Sequence, residues 1–257
     1  VYKRQGTSHE LGQNFSKAFD IQFTDENNEL KYPYQTSWGV STRLIGMIIM
    51  AHGDDKGLQL PPKLAPSQVV LIPITPKEEH KEPVMKIVNE INNEIGSKFR
   101  VKIDDRENLS PGFKFNEWEL KGVPLRIEIG PKDIENGSVV FSRRDGTDDK
   151  FSVPISDISK KIDSVLEDIQ INMLDSSRKY QEDNTIHVST KDELIEALNS
   201  KPGFVTCYWH ENSDDENEIK ELTKATLRCY LLDSTETDTA VNASSQKGNL
   251  AIFSKAY

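Results

Sequence analysis

Cysteine is almost missing from this chain of 257 residues, with only Cys207 and Cys229 present. Two thiols lay out no disulfide framework and are too few for a zinc ribbon; a reducing, cytoplasmic setting fits them best. Long apolar runs are missing as well. The longest, Leu44 to Ala51, contains Gly46 and falls far short of the ~20 residues that span a bilayer, so no membrane is expected as a partner. An excess of basic charge is also absent: 32 Lys and Arg face 42 Asp and Glu, for a net charge of -10 at pH 7. That excludes a general nucleic-acid coat and makes DNA an unexpected partner, but it leaves room for a local basic patch that reads one folded RNA. No internal repeat and no low-complexity tract is present.

What is there is a soluble, highly charged chain with 35% hydrophobic and 29% charged residues. It must economise on core, and its length suggests two domains or two and a fraction. Acidity concentrates in runs such as Asn212 to Glu221 (NSDDENEIKE), which reads as a solvated face. Val1 to Gln5 (VYKRQ) shows neither cap nor periodicity and reads as a translated adaptor at the edge of a DNA fragment. On that reading it drops out of the fold, and the chain is a C-terminal piece of something longer.

Along the chain, Ala18 to Phe23 and Tyr32 to Ser37 read as strands joined through the turn composition Asp25-Glu26-Asn27-Asn28. A helix is expected from about Val40 to Ala51, stopped by Gly53. Its apolar residues Leu44, Ile45, Met47, Ile48, Ile49 and Met50 surround the axis, which predicts burial nearly all round, against a sheet larger than these strands supply. Leu60 to Pro66 (LPPKLAP) reads as a stiff linker. Strands at 68–74, 99–103, 125–129 and 139–142 then alternate with helices over 84–95 and 115–122, a pattern that implies an open α/β sheet. Ile158, Ile162, Val165, Leu166, Ile169 and Met173 mark a long amphipathic helix begun by Ser156-Asp157. Helices over 193–199 and 216–223 and strands over 204–209, 226–232 and 249–254 make a third, small unit.

Arg43 poses a chemical question. A cation in the first turn of a helix opposes the macrodipole, and burying it unpaired would cost several kcal/mol, on the order given for buried charges. A phosphate at the helix N-terminus removes both problems, with Gly39 just before it allowing close approach to the backbone. Equally, Arg43 could reach solvent or pair with an upstream acid. Between Phe113 and Lys132 the basic residues Lys114, Lys121, Arg126 and Lys132 alternate with Phe113, Phe115 and Trp118. Cations beside aromatics suit unstacked RNA bases; the same pattern also describes a sheet-covering core under a solvated face.

The segment Gly39-Val40-Ser41-Thr42-Arg43 resembles motif 3 of the class II aminoacyl-tRNA synthetases. Thr7-Ser8-His9-Glu10-Leu11-Gly12-Gln13-Asn14-Phe15, Gln35-Thr36-Ser37-Trp38-Gly39, His52-Gly53-Asp54-Asp55 and Leu60-Pro61-Pro62-Lys63 resemble the prolyl-tRNA synthetases. So do Gly112 to Pro124 (GFKFNEWELKGVP) and the final Lys255-Ala256-Tyr257, so the resemblance covers nearly everything after residue 5. It implies an α/β and α+β multidomain fold of the archaeal or eukaryotic-like type. The end of a class II antiparallel-sheet catalytic domain would occupy 6–65, after 1–5 as adaptor. An α/β anticodon-binding domain would occupy 66–170 and a small α+β C-terminal domain 171–257.

The resemblance also implies roles. Thr7, His9, Ser37, Trp38 and Gly39 would form the proline pocket, although a lone histidine such as His9 is, without the family, more often structural. Gln35, Thr36 and Arg43 would hold ATP, supplied with Mg2+ as substrate, and Arg43 would be the catalytic cation. Phe115, Glu119, Arg126 and Lys132 would read the anticodon of proline tRNA, and the carboxylate of Tyr257 would tuck back toward the catalytic domain. The full-length protein would be a homodimeric proline–tRNA ligase. Without motifs 1 and 2 this chain alone is not expected to aminoacylate, and a non-catalytic tRNA-binding or regulatory protein of the same domains is the competing reading. Relatives of this type often carry zinc on four cysteines. Here His210 and Asp215 stand at the first two positions, the second pair falls within 238–248 where no cysteine occurs, and Cys207 and Cys229 lie elsewhere. Zinc is therefore expected to be absent.

Overall fold

The computed structural model describes residues 6–146, 150–200, 203–231 and 237–255. Val1 to Gln5, expected as an adaptor, and Tyr257, with the expected docking of its carboxylate, lie outside the described residues. By internal contacts the chain divides into two units, 1–47 with 181–257 and 48–180.

The first unit opens with strand β1 (Gly6–Gly12), followed by the short helix α1 (Asn14–Ala18), strands β2 (Phe23–Thr24) and β3 (Leu30–Lys31), and strand β4 (Gln35–Val40). β1 and β4 pair antiparallel, and β2 and β3 form a separate hairpin. The strand expected over 18–23 is not formed. Ser16 is buried, its hydroxyl donating to the carbonyls of Gln13 and Pro33, which holds a helical turn there. Asp20 then adopts a φ of 51°, which breaks any extended run. The second expected strand is displaced toward the C-terminus, because Pro33 has no N–H to give a ladder. Helix α2 (Arg43–His52) starts later than its apolar pattern suggested, since residues up to Val40 stay paired with β1. Gly53 stops it as expected, its N–H returning to the Ile49 carbonyl at 2.8 Å. The burial expected all round α2 is not found: no residue of it is buried, and Ile45 and Met50 are 64% and 60% exposed.

The second unit is the α/β sheet the alternation implied. Its elements run β5 (Val69–Pro73), α3 (Lys81–Ile95), β6 (Val101–Ile103), α4 (Pro111–Leu120), β7 (Leu125–Ile129), α5 (Pro131–Glu135), β8 (Ser138–Arg143), β9 (Phe151–Pro154) and α6 (Ile158–Asp183). The sheet order is β6-β5-β7-β8-β9, with β5 parallel to β6 and β7 and the remaining pairs antiparallel. β5 is buried at every position, as its unbroken apolar run requires for a strand covered on both faces. Val69 and Leu71 point into the larger core, with Val84, Val88 and Ile91 of α3 and Ile158, Ile162 and Ile169 of α6. Val70 and Ile72 point the other way, under Phe115 and Trp118 of α4. The early start of α4 is set by Ser110, whose hydroxyl accepts from the Phe113 N–H, and by Pro111 in the first turn.

The proline-rich stretch is not the free spacer its composition suggested. Pro61, Pro62 and Ala65 are buried, and Arg100 donates to the carbonyls of Ala65, Pro62 and Lys63 at 2.8, 2.9 and 3.3 Å. The preceding residues are strapped down too, Leu58 and Leu60 donating backbone N–H groups to Leu120 and Gly122. Gly122 has a φ of 72°, and a Cβ there would lie 2.4 Å from the Leu58 carbonyl oxygen. Gly122→Ala is therefore expected to destabilise this unit by more than about 1 kcal/mol. The check is a lower urea midpoint at unchanged slope.

The last elements are β10 (Thr185–His187), α7 (Lys191–Ser200), β11 (Phe204–Trp209), α8 (Ser213–Thr223), β12 (Ala225–Tyr230), β13 (Thr237–Ala240) and β14 (Ala243–Lys255). They build the sheet β10-β11-β14-β12, with β13 paired to β14. Its core centres on Trp209 and Phe253, whose rings meet edge to face at 4.9 Å between centroids. Burial pushes the Cys207 thiol up to about 12, which marks it as a core side chain and not a thiolate ligand.

Candidate functional site

Two groups of the sequence-derived site residues come together, each on its own framework. The first is the β1–β4 ribbon. Its register sets Thr7 opposite Gly39 and His9 opposite Ser37, with a bulge after Glu10 that brings Gly12 opposite Gln35. Side chains alternate across a strand, so Thr7, His9, Gln35, Ser37 and Gly39 share one face. Ser8, Glu10, Thr36 and Trp38 share the other. Thr36 and Trp38 are thus separated from the residues with which they were grouped, and the Trp38 ring is 80% exposed. The Gln35 side-chain oxygen is buried with no hydrogen-bond partner among the described residues. Arg43 is the first residue of α2, and its N–H is accepted by the Ser41 hydroxyl at 3.3 Å. The Leu44 and Ile45 N–H groups return to Ser41 and Thr42. No acidic side chain stands in the first turn, which keeps this helix end receptive to an anion.

The second group surrounds a recess on the face of the five-stranded sheet covered by α4. Trp118, Glu119, Val123, Arg126, Ser142, Arg143, Arg144 and Lys150 line it. The Arg126 guanidinium lies over the Phe115 ring at 4.5 Å and the Lys150 ammonium at 4.9 Å, so the aromatic ring carries two cations. Arg126 donates from Nε to Glu128 at 3.0 Å and from Nη2 to the Ser142 hydroxyl at 3.0 Å. Lys150 reaches the same Glu128 at 2.8 Å. This buried carboxylate holds both cations at fixed positions. The Glu119 carboxylate faces Lys56 at 3.8 Å, far enough to leave its oxygens open to further donors. Its backbone carbonyl is taken by Arg144 Nε at 2.9 Å, while the Arg144 fork grips Asp54 at 2.9 and 2.6 Å. That grip holds the Asp54 carboxyl well below the usual carboxylate range.

Beneath Trp118 sits buried Asp104, which accepts from the indole N–H at 2.7 Å and from Arg106 at 2.8 and 2.7 Å. The Lys114 ammonium donates to the Asp104 carbonyl at 3.0 Å and stands 3.9 Å from its carboxylate. This network fixes the roof helix α4 to the end of β6.

Phe115, Glu119 and Arg126 are therefore brought to one place. Lys132 is not: it lies exposed in α5, past the opposite end of β7, and takes no part in the recess. Lys150, Ser142 and Arg144 also line the recess and Glu128 braces two of its cations, and the sequence reading passed over all four. Their only sequence signal is the Arg143-Arg144 pair, with a lysine just before a short alternating stretch at 151–154. Without β9 in view, nothing tied that lysine to Phe115.

Residues 68–164 match the family described as "Anticodon binding domain", which places this sheet and its recess in a domain class of the aminoacyl-tRNA synthetases. Residues 191–257 match "Prolyl-tRNA synthetase, C-terminal". Similar curated proteins, all named proline–tRNA ligase, come from Roseiflexus sp. (strain RS-1), Natranaerobius thermophilus and Alkaliphilus oremlandii. The first is 48% identical over 255 residues, covering 98% of this chain and 53% of the relative. The other two are 52% and 51% identical, each covering 87% of this chain and 46% of the relative. The chain belongs to the prolyl-tRNA synthetase family, and it spans about half the length of the curated relatives it matches. Among the described residues no helix is long and apolar enough to cross a membrane, and no group of three or more His, Cys, Asp or Glu is placed to hold a metal ion.

Proposed function

We propose that the whole protein attaches proline to its tRNA in two steps. It would work as a cytoplasmic homodimer, with this chain supplying the anticodon reader and one wall of the active site. The proline carboxylate oxygen attacks the α-phosphate of ATP, which arrives with Mg2+ as substrate, and pyrophosphate leaves. A hydroxyl of the tRNA 3′-terminal ribose then attacks the prolyl carbonyl and AMP leaves. Thr7, His9, Ser37 and Gly39 share the face of the β1–β4 ribbon suited to a compact ring. Trp38 and Thr36 serve from the opposite face or at the edge. Gln35, whose buried oxygen has no partner among the described residues, is suited to donors on the adenylate. Arg43, at the start of α2, adds a guanidinium to the backbone N–H groups facing the phosphates. Positioning and charge neutralisation carry such a reaction, with no covalent enzyme intermediate.

The observation that carries the recognition half is the recess lined by Glu119, Arg126 and Lys150, with the Phe115 ring against its two cations. A base can stack beside the aromatic, Glu119 can accept from the N1–H and N2–H edge of guanine, and Arg126 can donate to O6 and N7. Lys150 joins this group, whereas Lys132 is left to a phosphate. The test is binding of the chain to proline tRNA and to the same tRNA with both anticodon guanines replaced, across several salt concentrations. Phosphate contacts alone give an affinity that falls with salt but ignores sequence. The expected result is a clear preference for the native anticodon that persists as salt rises. Equal binding of both RNAs at every salt would move the non-catalytic, regulatory reading to the front.

A further inference from the structure

The family resemblance implies a structural zinc in the C-terminal domain, and the residues here do not fit one. A closed zinc site takes four nitrogen or sulfur ligands. Of the positions in question, His210 supplies one nitrogen and Asp215 only oxygen, and no cysteine or histidine occurs from 237 to 248. The oxygen of Asp215 is moreover already engaged. Asn242, in the turn between β13 and β14, donates from Nδ2 to Asp215 Oδ2 at 2.7 Å and to the His210 carbonyl at 2.9 Å. Its Oδ1 accepts from the His210 N–H at 3.0 Å.

We infer that the Asn242 amide is a metal-free clasp, closing the C-terminal domain across the segments where the resemblance puts a zinc. A primary amide offers one acceptor oxygen and two N–H donors, and all three are used. Against His210 the side chain behaves as a strand neighbour would, meeting both the N–H and the C=O of one residue. The second donor reaches the first turn of α8. One side chain therefore ties together the end of β11, the start of α8 and the β13–β14 turn, the three segments a four-ligand ion would join. The surroundings are set for it. Asn212 caps α8, accepting from the Asp214 and Asp215 N–H groups at 2.9 and 3.4 Å, which aims the Asp215 carboxylate. That charge also sits where the helix dipole favours it. Val241 extends the pairing by donating its N–H to the Tyr208 carbonyl at 2.9 Å. On the far side β14 passes so close that a Cβ on Gly248 would lie 2.6 Å from the Trp209 backbone. Both flanks of Trp209 are thereby held.

The test uses the full chain. After equilibration with zinc chloride and desalting, elemental analysis is expected to find far less than one zinc per chain, and EDTA is expected to leave Tm unchanged. Asn242→Ala should lower the Tm of the C-terminal domain by about 4–8 °C. It should also speed hydrogen exchange at the His210 amide at least tenfold, while amides in β5 keep their rates. Asn242→Asp, which keeps the size but removes both donors and sets a second carboxylate beside Asp215, should be at least as damaging. Stoichiometric zinc with a Tm that falls on chelation would overturn the inference. So would unchanged Tm and His210 exchange in Asn242→Ala. Should the variants not fold, the unaltered chain still decides: a His210 amide that exchanges like an open loop is not clasped.

Discussion

Replacing Arg126 by alanine is expected to weaken binding of proline tRNA by about 1–3 kcal/mol, roughly 5- to 150-fold, and to erase most of the preference for the native anticodon. The magnitude is that of one bidentate guanine contact. The argument for so large an effect from one side chain lies in how it is held. Its fork is poised between the Phe115 ring, Glu128 and Ser142, so little side-chain entropy remains to be lost on binding. Arg126→Lys keeps the charge and loses the fork, and it should recover the salt-dependent part of the affinity without the discrimination. Lys132→Ala offers the contrast, with a uniform loss on both RNAs and a salt slope reduced by about one. Measured titrations of Arg126→Ala that still separate native from altered anticodon as well as the unaltered chain does would remove Arg126 from the code-reading group. Because Glu128 is buried and, among the described residues, keeps Lys150 as its one partner once the arginine is gone, thermal unfolding of the variant must be recorded alongside.

The sheet of the second unit was legible because its signals are local and redundant. An apolar run bounded by prolines, as in β5, or a 3.6-residue repeat, as from Val84 to Ile95, has one physical solution whatever lies nearby. β7 and β11 fall where alternation put them. The failures occur where something distant or small decides. Asp20 breaks one strand that composition favoured, and Pro33 shifts another toward the C-terminus. The Leu60 to Pro66 stretch becomes a strap, since Arg100 and Gln68 use its carbonyls. No local pattern announces an arginine that lies 35 residues away in sequence. The same limit applies to the recess. Phe115, Glu119 and Arg126 lie close together in sequence and were grouped through the family resemblance, while Lys150 reaches Phe115 through the β8–β9 hairpin. Helix α2 shows a different limit. Its apolar residues state that something should cover them, but not what.

Asp104→Ala is expected to be the most damaging single change in the second unit, costing about 3–5 kcal/mol, the range for removing one partner of a buried charge pair. Asp104 and Lys114 are only 2% and 5% exposed, and without the carboxylate the Lys114 ammonium keeps just the residue-104 carbonyl at 3.0 Å. The Trp118 indole N–H and Arg106 lose their acceptor in the same stroke. Asp104→Asn separates charge from shape. It retains a carbonyl for the indole or the guanidinium but not for both forks, and it should fall between the alanine variant and the unaltered chain. The pH dependence has a definite sign. Arg106 first, and the Trp118 bond and Lys114 besides, hold the Asp104 carboxyl well below its ordinary 3.8. A carboxylate whose folded pKa is depressed contributes stability that is fully present above the unfolded value. That contribution drains away as pH falls below about 4 toward the lower folded value. The stability gap between the unaltered chain and Asp104→Asn should therefore be constant from pH 7 to about 5 and should narrow steadily below 4. Urea titrations at each pH measure it directly, and taking the difference between the two proteins removes other depressed carboxylates such as Asp54. A gap that stays constant down to pH 2.5 would mean that Asp104 titrates as an ordinary carboxylate with no special partner. Since the same carboxylate fixes Trp118 at the wall of the recess, Asp104→Asn should also weaken RNA discrimination under conditions where it is still fully folded.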